Sequence, residues 1–386
     1  MLKIEHERLL VAVVLTLIIS IDMINTSMLE PILPHIPSKI LLFGVVLLGL
    51  RLFYIRQYSK TYLLFAPLLL LSGVMIYFNT GFTKMLMHMM MLVFLYGIDI
   101  EYVLKIYSRV CLFFVLLIVI LSILGIIPNL QFLQARSAGM IVRNSFGFLY
   151  PTDFASHCFY LYTALSYLFR KRFIILRTLS GFLLAGFVIY YCDARLNAAS
   201  IVTITVVFLY FYYFESKEWR LFAIMPYTVG VVSTVMIYLS STFTWSRSFY
   251  VVLNKFSNMR LHLGHEALKK YPVQLFGTRG ISFVGYGGQT GKVQNYDYVD
   301  SSYVQMLFTY GIIPVVLLVC LYMVQSWEIY RKKNYLLLTC LALVAVNCIF
   351  EAFWIRPSYN IFMFLLFASI PTMEFDGENS EMRKAV

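Results

Sequence analysis

The sequence predicts an all-α polytopic integral membrane protein, and three observations support this fold class. Of the 386 residues, 60% are hydrophobic, and the mean hydropathy is +0.78. Only 13% are charged, about half of the roughly 25% that is typical of soluble domains. The apolar residues are gathered into long runs, and about 20 such residues are enough to cross a bilayer as a helix. We therefore expect a single membrane domain over residues 1–386.

Twelve segments meet the length criterion, although the fourth is short and the eleventh is marginal. The predicted spans are 9–26, 38–55, 61–78, 84–99, 104–126, 150–169, 173–191, 197–214, 220–241, 302–325, 334–350 and 357–372. The first span follows MLKIEHERLL, which has no small-residue cleavage site, so we interpret it as a retained helix rather than a signal peptide. The sequence thus predicts about twelve transmembrane helices.

The orientation follows from lysine and arginine in the short connections. Clusters such as Arg170-Lys171-Arg172 and Arg331-Lys332-Lys333 all fall on one predicted side, and the opposite short loops carry few charges. Basic short loops stay in the cytoplasm. Both termini are therefore predicted to be cytoplasmic, and residues 373–386 are expected to form a frayed cytoplasmic tail.

Net charge and cysteine usage exclude two other classes of protein. The formal net charge is +12, which would suit a nucleic-acid partner, but the bases are placed around the membrane spans, so we predict no nucleic acid. The six cysteines lie in or beside apolar segments without paired CxxC spacing. This pattern favours packed core residues over a disulfide or metal framework.

Two long connections fall on the predicted outer side, 127–149 and 242–301. Long loops are usually functional or disordered, and the aromatic residues among the charges of these loops favour function. The larger loop is polar, glycine-rich and cationic, and we expect short helices at about 247–257 and 261–270. Within it, GTRGISFVGYGGQTG matches neither a P-loop nor a dinucleotide fingerprint. It predicts either a mobile cover over a ligand or an irregular linker.

Arginines on the outer side contradict the charge rule and need a reason. They are Arg136, Arg143, Arg195, Arg247, Arg260, Arg279 and Arg356. Arg143 precedes the sixth span, Arg195 lies at the outer end of the eighth, and Arg260 lies in the large loop. A guanidinium binds phosphate through a fixed fork of donors, so these three together would suit a lipid-linked phosphate or diphosphate. Alternatively, each reaches lipid headgroups or pairs with an acid, as Asp193 beside Arg195 suggests.

The remaining polar candidates are two histidines and one acid. His262 and His265 share a helix face, but Glu266 is the only close acid, and such a lone pair is weak support for a metal site. We predict no metal and no cofactor. Asp300 stands where the large loop re-enters the membrane. It fits a helix N-cap together with Ser301, or a base that accepts a proton from an attacking hydroxyl.

Three segments together resemble a known family. They are VRNSFGFLYPTDFA, NMRLHLGHEALKKYPVQLFGTRG and DSSYVQMLFTYGII. In this order, and on the same predicted side, they are similar to motifs of Wzy-type polysaccharide polymerases, members of the O-antigen polymerase and ligase superfamily, in its capsule or exopolysaccharide branch. The layout of many spans with a large outer loop before the last few also resembles that family. The motifs cover about a fifth of the chain.

The resemblance implies a membrane glycosyltransferase in the cytoplasmic membrane of a bacterium. Such an enzyme moves a growing glycan from an undecaprenyl-diphosphate carrier to a lipid-linked repeat unit at the outer leaflet, with inversion and without a metal. Arg143, Arg195 and Arg260 would hold the diphosphate, and Asp300 stands where the ligase branch carries a histidine. Further substrate-binding candidates are Arg247, His265, Arg279 and Tyr303, although Tyr303 and Gly311 also suit a structural role.

The partners implied are the undecaprenyl-diphosphate-linked oligosaccharide and membrane lipid, with a chain-length regulator and a flippase as possible protein partners. Two alternative functions remain. One is a glycan transferase like the O-antigen ligases, against which Asp300 in place of histidine argues. The other is a twelve-span transporter of lipid-linked sugars. Transporters often divide into two similar halves, whereas the polar residues here are concentrated in one asymmetric loop.

Overall fold

The computed structural model describes residues 2–33, 38–55, 57–136, 139–214, 220–286, 294 and 296–371. These ranges are mostly helical, with one two-stranded antiparallel sheet. The predicted tail at 373–386 and the last five residues of the predicted glycine-rich cover, 287–291, lie outside the described residues.

The helices and strands are numbered in chain order. The helices are α1 (Leu2–Ile24), α2 (Ser38–Leu50), α3 (Lys60–Thr80), α4 (Thr83–Phe94), α5 (Ile100–Ile123), α6 (Pro151–Leu168), α7 (Ile174–Cys192), α8 (Arg195–Phe214), α9 (Thr228–Ser241), α10 (Ser248–Phe256), α11 (Arg260–Lys270), α12 (Ser302–Thr309), α13 (Ile312–Arg331) and α14 (Tyr335–Asn347). The strands are β1 (Gln131–Arg136) and β2 (Gly139–Asn144).

Six helical segments of the described chain are long and apolar enough to cross a membrane. They are α3, α5, α7, α8, α13 and the stretch Leu221–Ser241, which ends in α9. Helices α4 and α14 are apolar but shorter. Large apolar side chains such as Leu63, Leu64 and Leu71 of α3 are exposed, as expected for a surface that faces lipid. The prediction of a helical membrane protein is therefore confirmed. The number of transmembrane helices, predicted to be twelve, stays a prediction.

The two ends of the helix bundle differ in their contacts. At one end, which we call the basic end, the short basic connections meet through Arg51–Glu7 at 2.8 Å and Arg170–Glu101 at 2.7 Å. At the other end, the loop end, the two long connections meet. There Tyr286 of the large loop packs on Phe132 of β1, with ring centroids 5.3 Å apart. The predicted segregation of basic connections from long loops is thus present in the fold.

The connection 127–149 contains a β-hairpin that the sequence analysis did not predict. Strands β1 and β2 pair in antiparallel register, with Phe132 opposite Arg143. Because successive side chains of a strand point to opposite faces, β2 exposes Met140 and Val142 in part while it buries Arg143. The hairpin therefore directs the Arg143 side chain towards the protein interior.

The predicted tenth span, 302–325, is wrong as a single helix. It is divided into α12 and α13 at Gly311, whose φ is 91°. A Cβ atom at Gly311 would lie 2.4 Å from both Leu275 O and Gly277 N of the large loop. Only glycine combines this left-handed conformation with so close an approach, so the break gives the large loop a place to pack against the bundle.

The predicted twelfth span, 357–372, is not an α-helix in its described part. It contains only the short 3-10 helix Ile361–Leu365, and its side chains from Tyr359 to Phe367 are buried. Its backbone bonds to other segments, with Gly97 N donating to Phe367 O at 2.9 Å. Trp354 N bonds Ser302 at the loop end, and Ile370 O bonds Lys332 at the basic end. The chain thus passes between the two ends as irregular backbone, which membrane proteins tolerate where it is buried in protein.

Candidate functional site

Arg260 is the first residue of α11 and is aimed into the bundle by an unusual turn. Asn258 and Met259 both have positive φ values, 53° and 69°, which non-glycine residues rarely adopt. The Asn254 side chain of α10 supports this turn, since its Oδ1 accepts from His262 N at 3.0 Å. Such backbone strain clusters at functional sites. The Arg260 side chain is left 7% exposed.

Backbone carbonyls, not an acid, hold the Arg260 guanidinium. Its Nε donates to Phe350 O at 2.7 Å, and its Nη1 donates to Ser257 O at 3.2 Å. Its Nη2 lies 3.8 Å from Asp300 Oδ2, which is an ion pair by distance but too long for a direct hydrogen bond. The cationic charge is therefore only partly neutralised, and the Nη2 edge faces the carboxylate.

Arg143 is held in the same way from the other long connection. Its Nε donates to Cys192 O at 2.8 Å, and its Nη1 donates to Gln134 Oε1 at 3.0 Å and to the Tyr150 hydroxyl at 3.1 Å. None of these acceptors is a charged group, so the buried side chain keeps its full positive charge. Arg143 acts electrostatically on Asp300. The fold thus places two of the three predicted arginines near the same carboxylate, with Arg260 alone within ion-pair distance of it.

Asp300 is the centre of this cluster, and its side chain is 28% exposed. Burial raises the pKa of its carboxyl group, while Arg260 and then Arg143 lower it. The predicted N-cap is correct in position for Ser301 but not for Asp300. The N-cap of α12 is Ser301, which makes no side-chain capping bond, and Ser302 Oγ instead donates to Glu351 O. Asp300 therefore does not cap the helix, and its partly exposed carboxylate faces Arg260.

Glu351 is a second acid of the site, and the sequence analysis missed it. It lies between α14 and the irregular segment, its side chain is 4% exposed, and its Oε1 accepts from Asn197 Nδ2 of α8 at 3.3 Å. Burial, opposed by Arg260, raises the pKa of Glu351 to about 8. The carboxyl group is therefore mostly protonated at neutral pH. An ionisable residue within the apolar run IFEAFW was the available signal, because such residues are typical of functional sites.

We predict that Glu351→Gln makes thermal stability less dependent on pH. Since the folded-state pKa of about 8 exceeds the ordinary value of 4.5, the stability associated with the neutral form is present at low pH and is lost as the pH rises through the folded-state pKa. As the pH is raised from about 5 to about 9, the wild-type melting temperature in detergent should decrease. The melting temperature of the variant should decrease less over the same range. Parallel curves for the two proteins would contradict the assignment.

Tyrosine rings form one wall beside the cluster. Tyr150 and Tyr286 are stacked with centroids 5.0 Å apart, and Tyr286 and Tyr296 lie 5.4 Å apart. Burial and the nearby Asp300 raise the pKa of Tyr296. Aromatic rings with a few convergent polar groups are typical of ligand sites. This wall was not predicted, because its members come from both long connections.

Two other predicted arginines have ordinary structural partners. Arg195 is 60% exposed, and its Nε bonds Asp193 Oδ1 at 3.0 Å, which is the pairing that the sequence suggested as an alternative. Arg279 donates to the carbonyls of Asn79 and Phe78 at the end of α3, where basic side chains commonly satisfy free carbonyls. Arg279 thus ties the large loop to the bundle.

The remaining candidates do not converge on Asp300 through any described contact. Arg247 is exposed at the start of α10. His265 Nδ1 lies 2.9 Å from Ser240 O and joins α11 to α9. Tyr303 is fully buried, and its hydroxyl donates to Ala345 O at 2.6 Å, which confirms the structural role and leaves no surface for a substrate. No group of three or more histidine, cysteine or acidic side chains among the described residues is placed to hold a metal ion.

Comparisons with known proteins gave no match: no family model, no curated protein and no solved structure matches this chain. The chemistry of the site therefore has to be inferred from its own residues. Two cations held by neutral groups, one half-buried carboxylate and one protonated acid can bind a polyanion and accept a proton beside it.

Proposed function

We propose that the protein is a membrane glycan polymerase. It transfers a growing polysaccharide from an undecaprenyl-diphosphate carrier to a lipid-linked repeat unit. The observation that carries this proposal is the convergence of Arg143 and Arg260, buried and held by neutral acceptors, on the half-buried carboxylate of Asp300. The resemblance of the segments around these three residues to the Wzy-type polymerases supports the same assignment.

In the proposed reaction, a hydroxyl oxygen of the acceptor sugar attacks the anomeric carbon of the donor. The bond between that carbon and the diphosphate oxygen breaks on the opposite face, which inverts the configuration, and the diphosphate leaves with the electron pair. Asp300 accepts the hydroxyl proton. The guanidinium groups of Arg143 and Arg260 stabilise the charge that develops on the diphosphate, and this role of the arginines makes the reaction metal-independent.

The proposal places the loop end at the outer leaflet of the bacterial cytoplasmic membrane. The basic end would then be cytoplasmic, in agreement with the distribution of lysine and arginine, and both termini would lie on that side. Twelve crossings would result, the last of them the buried irregular segment 357–371. A chain-length regulator and a flippase would be its protein partners in the membrane.

A reconstituted reaction tests the proposal directly. Purified protein in proteoliposomes should convert lipid-linked repeat units into polymer and should continue to do so with a chelator present. Strict dependence on a divalent ion would contradict the proposed role of the arginines. Failure to form polymer from a panel of lipid-linked repeat units would contradict the polymerase itself.

A transporter of lipid-linked sugars is the second candidate, and one observation favours it. The buried Asp22 pairs with Lys84 and Arg356, which are partly exposed, and ionisable residues in this setting are typical of transport pathways. Glycan from a deletion strain separates the two functions. A strain that lacks a polymerase displays single repeat units outside the cell, whereas a strain that lacks the flippase displays none.

A further inference from the structure

A cavity of about 140 Å³ is lined in part by α4 and by residues close to Asp300 in sequence. Tyr298 and Ser302, which flank Asp300 in sequence, both line it. The rest of the lining comes from α4, from further residues of α12, from Tyr310, and from Ala352, Trp354, Ile355 and Arg356. Asp300, Arg260 and Arg143 are not among its lining residues, so the cavity is formed by residues to which the proposed transfer step gives no role.

The charged side chains that line this cavity are both basic, Lys84 and Arg356. Both form ion pairs with the same acid, since Asp22 Oδ1 lies 3.1 Å from Lys84 Nζ and 3.3 Å from Arg356 Nη2. Asp22 Oδ2 also accepts from Ser358 Oγ at 2.6 Å. Among the described residues, Asp22 is the only acid within ion-pair distance of either base. Two cations and one anion leave this contact group with a net charge of +1.

Three residues in the lining carry buried nitrogen atoms that have no hydrogen-bond partner within the described chain. They are His88 Nε2, Trp354 Nε1 and Arg356 Nε. His88 is 3% exposed, and Trp354 is fully buried. Unpaired buried polar atoms are rare in folded proteins and call for a specific explanation. The three atoms are themselves enclosed, so what they add is that the wall of this cationic cavity contains polar groups that the described chain does not satisfy.

The size and the remaining lining restrict the ligand. A cavity of about 150 Å³ holds a molecule the size of benzene, so this one admits a carboxylate group and the adjoining atoms of one sugar ring. The side chains of Tyr298, Tyr310 and Gln305 also line it. Apolar ring faces with a few polar groups are typical of sites for small molecules. A single charged group fits, and the rest of a longer glycan would have to lie outside the cavity.

We propose that this cavity binds the carboxylate of an acidic sugar, of the uronic acid class, in the substrate glycan. A monoanion balances the net charge of the Asp22, Lys84 and Arg356 group, and the basic side chains would bind it through charge-assisted hydrogen bonds. The assignment of the sugar to the substrate glycan rests on the proposed polymerase. The binding site itself does not, because binding can be measured without turnover.

The test uses the full chain in nanodiscs and three probes: sodium glucuronate, glucose and inorganic phosphate. Ligands that bind the folded state raise its apparent melting temperature by an amount that grows with the logarithm of the ratio of ligand concentration to Kd. Glucuronate should raise it progressively as its concentration increases, and glucose at equal concentration should not. Equal effects of the two sugars would overturn the proposal. Tighter binding of phosphate than of glucuronate would also overturn it, and would point to a phosphate group of the lipid carrier as the ligand.

Two substitutions should change the affinity for glucuronate in opposite directions. Lys84→Met removes a cation that would bind the carboxylate, and a hydrogen bond to a charged group contributes about 1.5–3 kcal/mol, so the Kd should rise roughly 10- to 100-fold. Asp22→Asn removes the competing acid at nearly constant volume, so the Kd should fall. The matched control is Lys269→Met on the exposed face of α11, where Lys269 pairs with Glu266, and it should leave the Kd unchanged.

The two variants keep the proposal falsifiable if one of them does not fold. An unchanged Kd in whichever variant folds would overturn the assignment. The result is also separable from the proposed function. A protein that binds glucuronate but forms no polymer would retain the site and lose the polymerase assignment. A protein that forms polymer without binding glucuronate would retain the polymerase assignment and lose the carboxylate-binding site.

Discussion

Replacing Arg260 by alanine should abolish long-chain polymer. Arg260 lies nearest to Asp300 and would stabilise the leaving diphosphate, and removal of one such donor typically costs about 100- to 1000-fold in rate. Arg143→Ala should have the same phenotype, because Arg143 acts on Asp300 from the opposite connection. The measurement is the chain-length distribution of the glycan on gels, with the amount of protein in the membrane quantified in parallel.

Loss of polymer in Arg260→Ala has to be distinguished from loss of the fold. The substitution also frees the carbonyls of Phe350 and Ser257, which should cost about 1–3 kcal/mol of stability. Arg260→Lys keeps the positive charge but loses the forked set of guanidinium donors, so this variant should retain partial activity. Lys269→Ala, nine residues later on the exposed face of α11, removes a cation without touching the cluster and should leave the glycan unchanged. A full chain-length distribution in Arg260→Ala would refute the site.

Asp300→Asn should lower the transfer rate by about 100- to 10,000-fold, which is the usual contribution of a general acid or base. The amide keeps the volume of the side chain but accepts a proton poorly. The rate should be measured with saturating lipid-linked repeat units, so that binding does not limit it. Glu266→Gln on exposed α11 is the matched control, since it neutralises an acid of the same loop whose pairing with Lys269 is exposed to solvent.

The pH dependence of transfer gives a second test of Asp300. A base must be deprotonated to act, and burial raises the pKa of Asp300 above its ordinary value. The rate should therefore rise with pH until Asp300 is ionised, at a pH above that of a solvent-exposed aspartate. Because Arg143 lowers this pKa, the residual activity of Arg143→Gln should rise only at still higher pH. An acid limb at the same pH in both proteins would exclude Asp300 as the base.

Much of the architecture and part of the site could be predicted from local patterns. The predicted helices at 247–257 and 261–270 correspond to α10 and α11, because their residues have helical periodicity. Arg143, Arg260 and Asp300 were each identified as charges in positions where a simple membrane protein has no need for them. Their convergence was not predictable, since the bonds that position them join residues far apart in sequence, such as Arg143 to Cys192 and Arg260 to Phe350.

Where the predictions were wrong, a distant contact overrode a local preference. The apolar run 357–372 has the composition of a helix, yet Gly97, Ile98 and Ile100 supply its backbone partners instead. The span at 302–325 is broken because Gly311 meets the backbone of Leu275 and Gly277. Glu351 was not predicted as a site residue because the mean hydropathy of a segment changes little when one acid lies among apolar neighbours.

The sequence by itself determined that this is a helical membrane protein with two long connections and a surplus of arginines beside them. These properties depend on composition and on periodicity over one helix, which the order of residues contains directly. Only the tertiary structure decided which arginines share a site. Arg195 and Arg279 satisfy local partners, whereas Arg143 and Arg260 are buried against carbonyls contributed by other elements and keep their charge for Asp300. The physical reason is that the state of a buried charge depends on the neighbours that the fold brings to it.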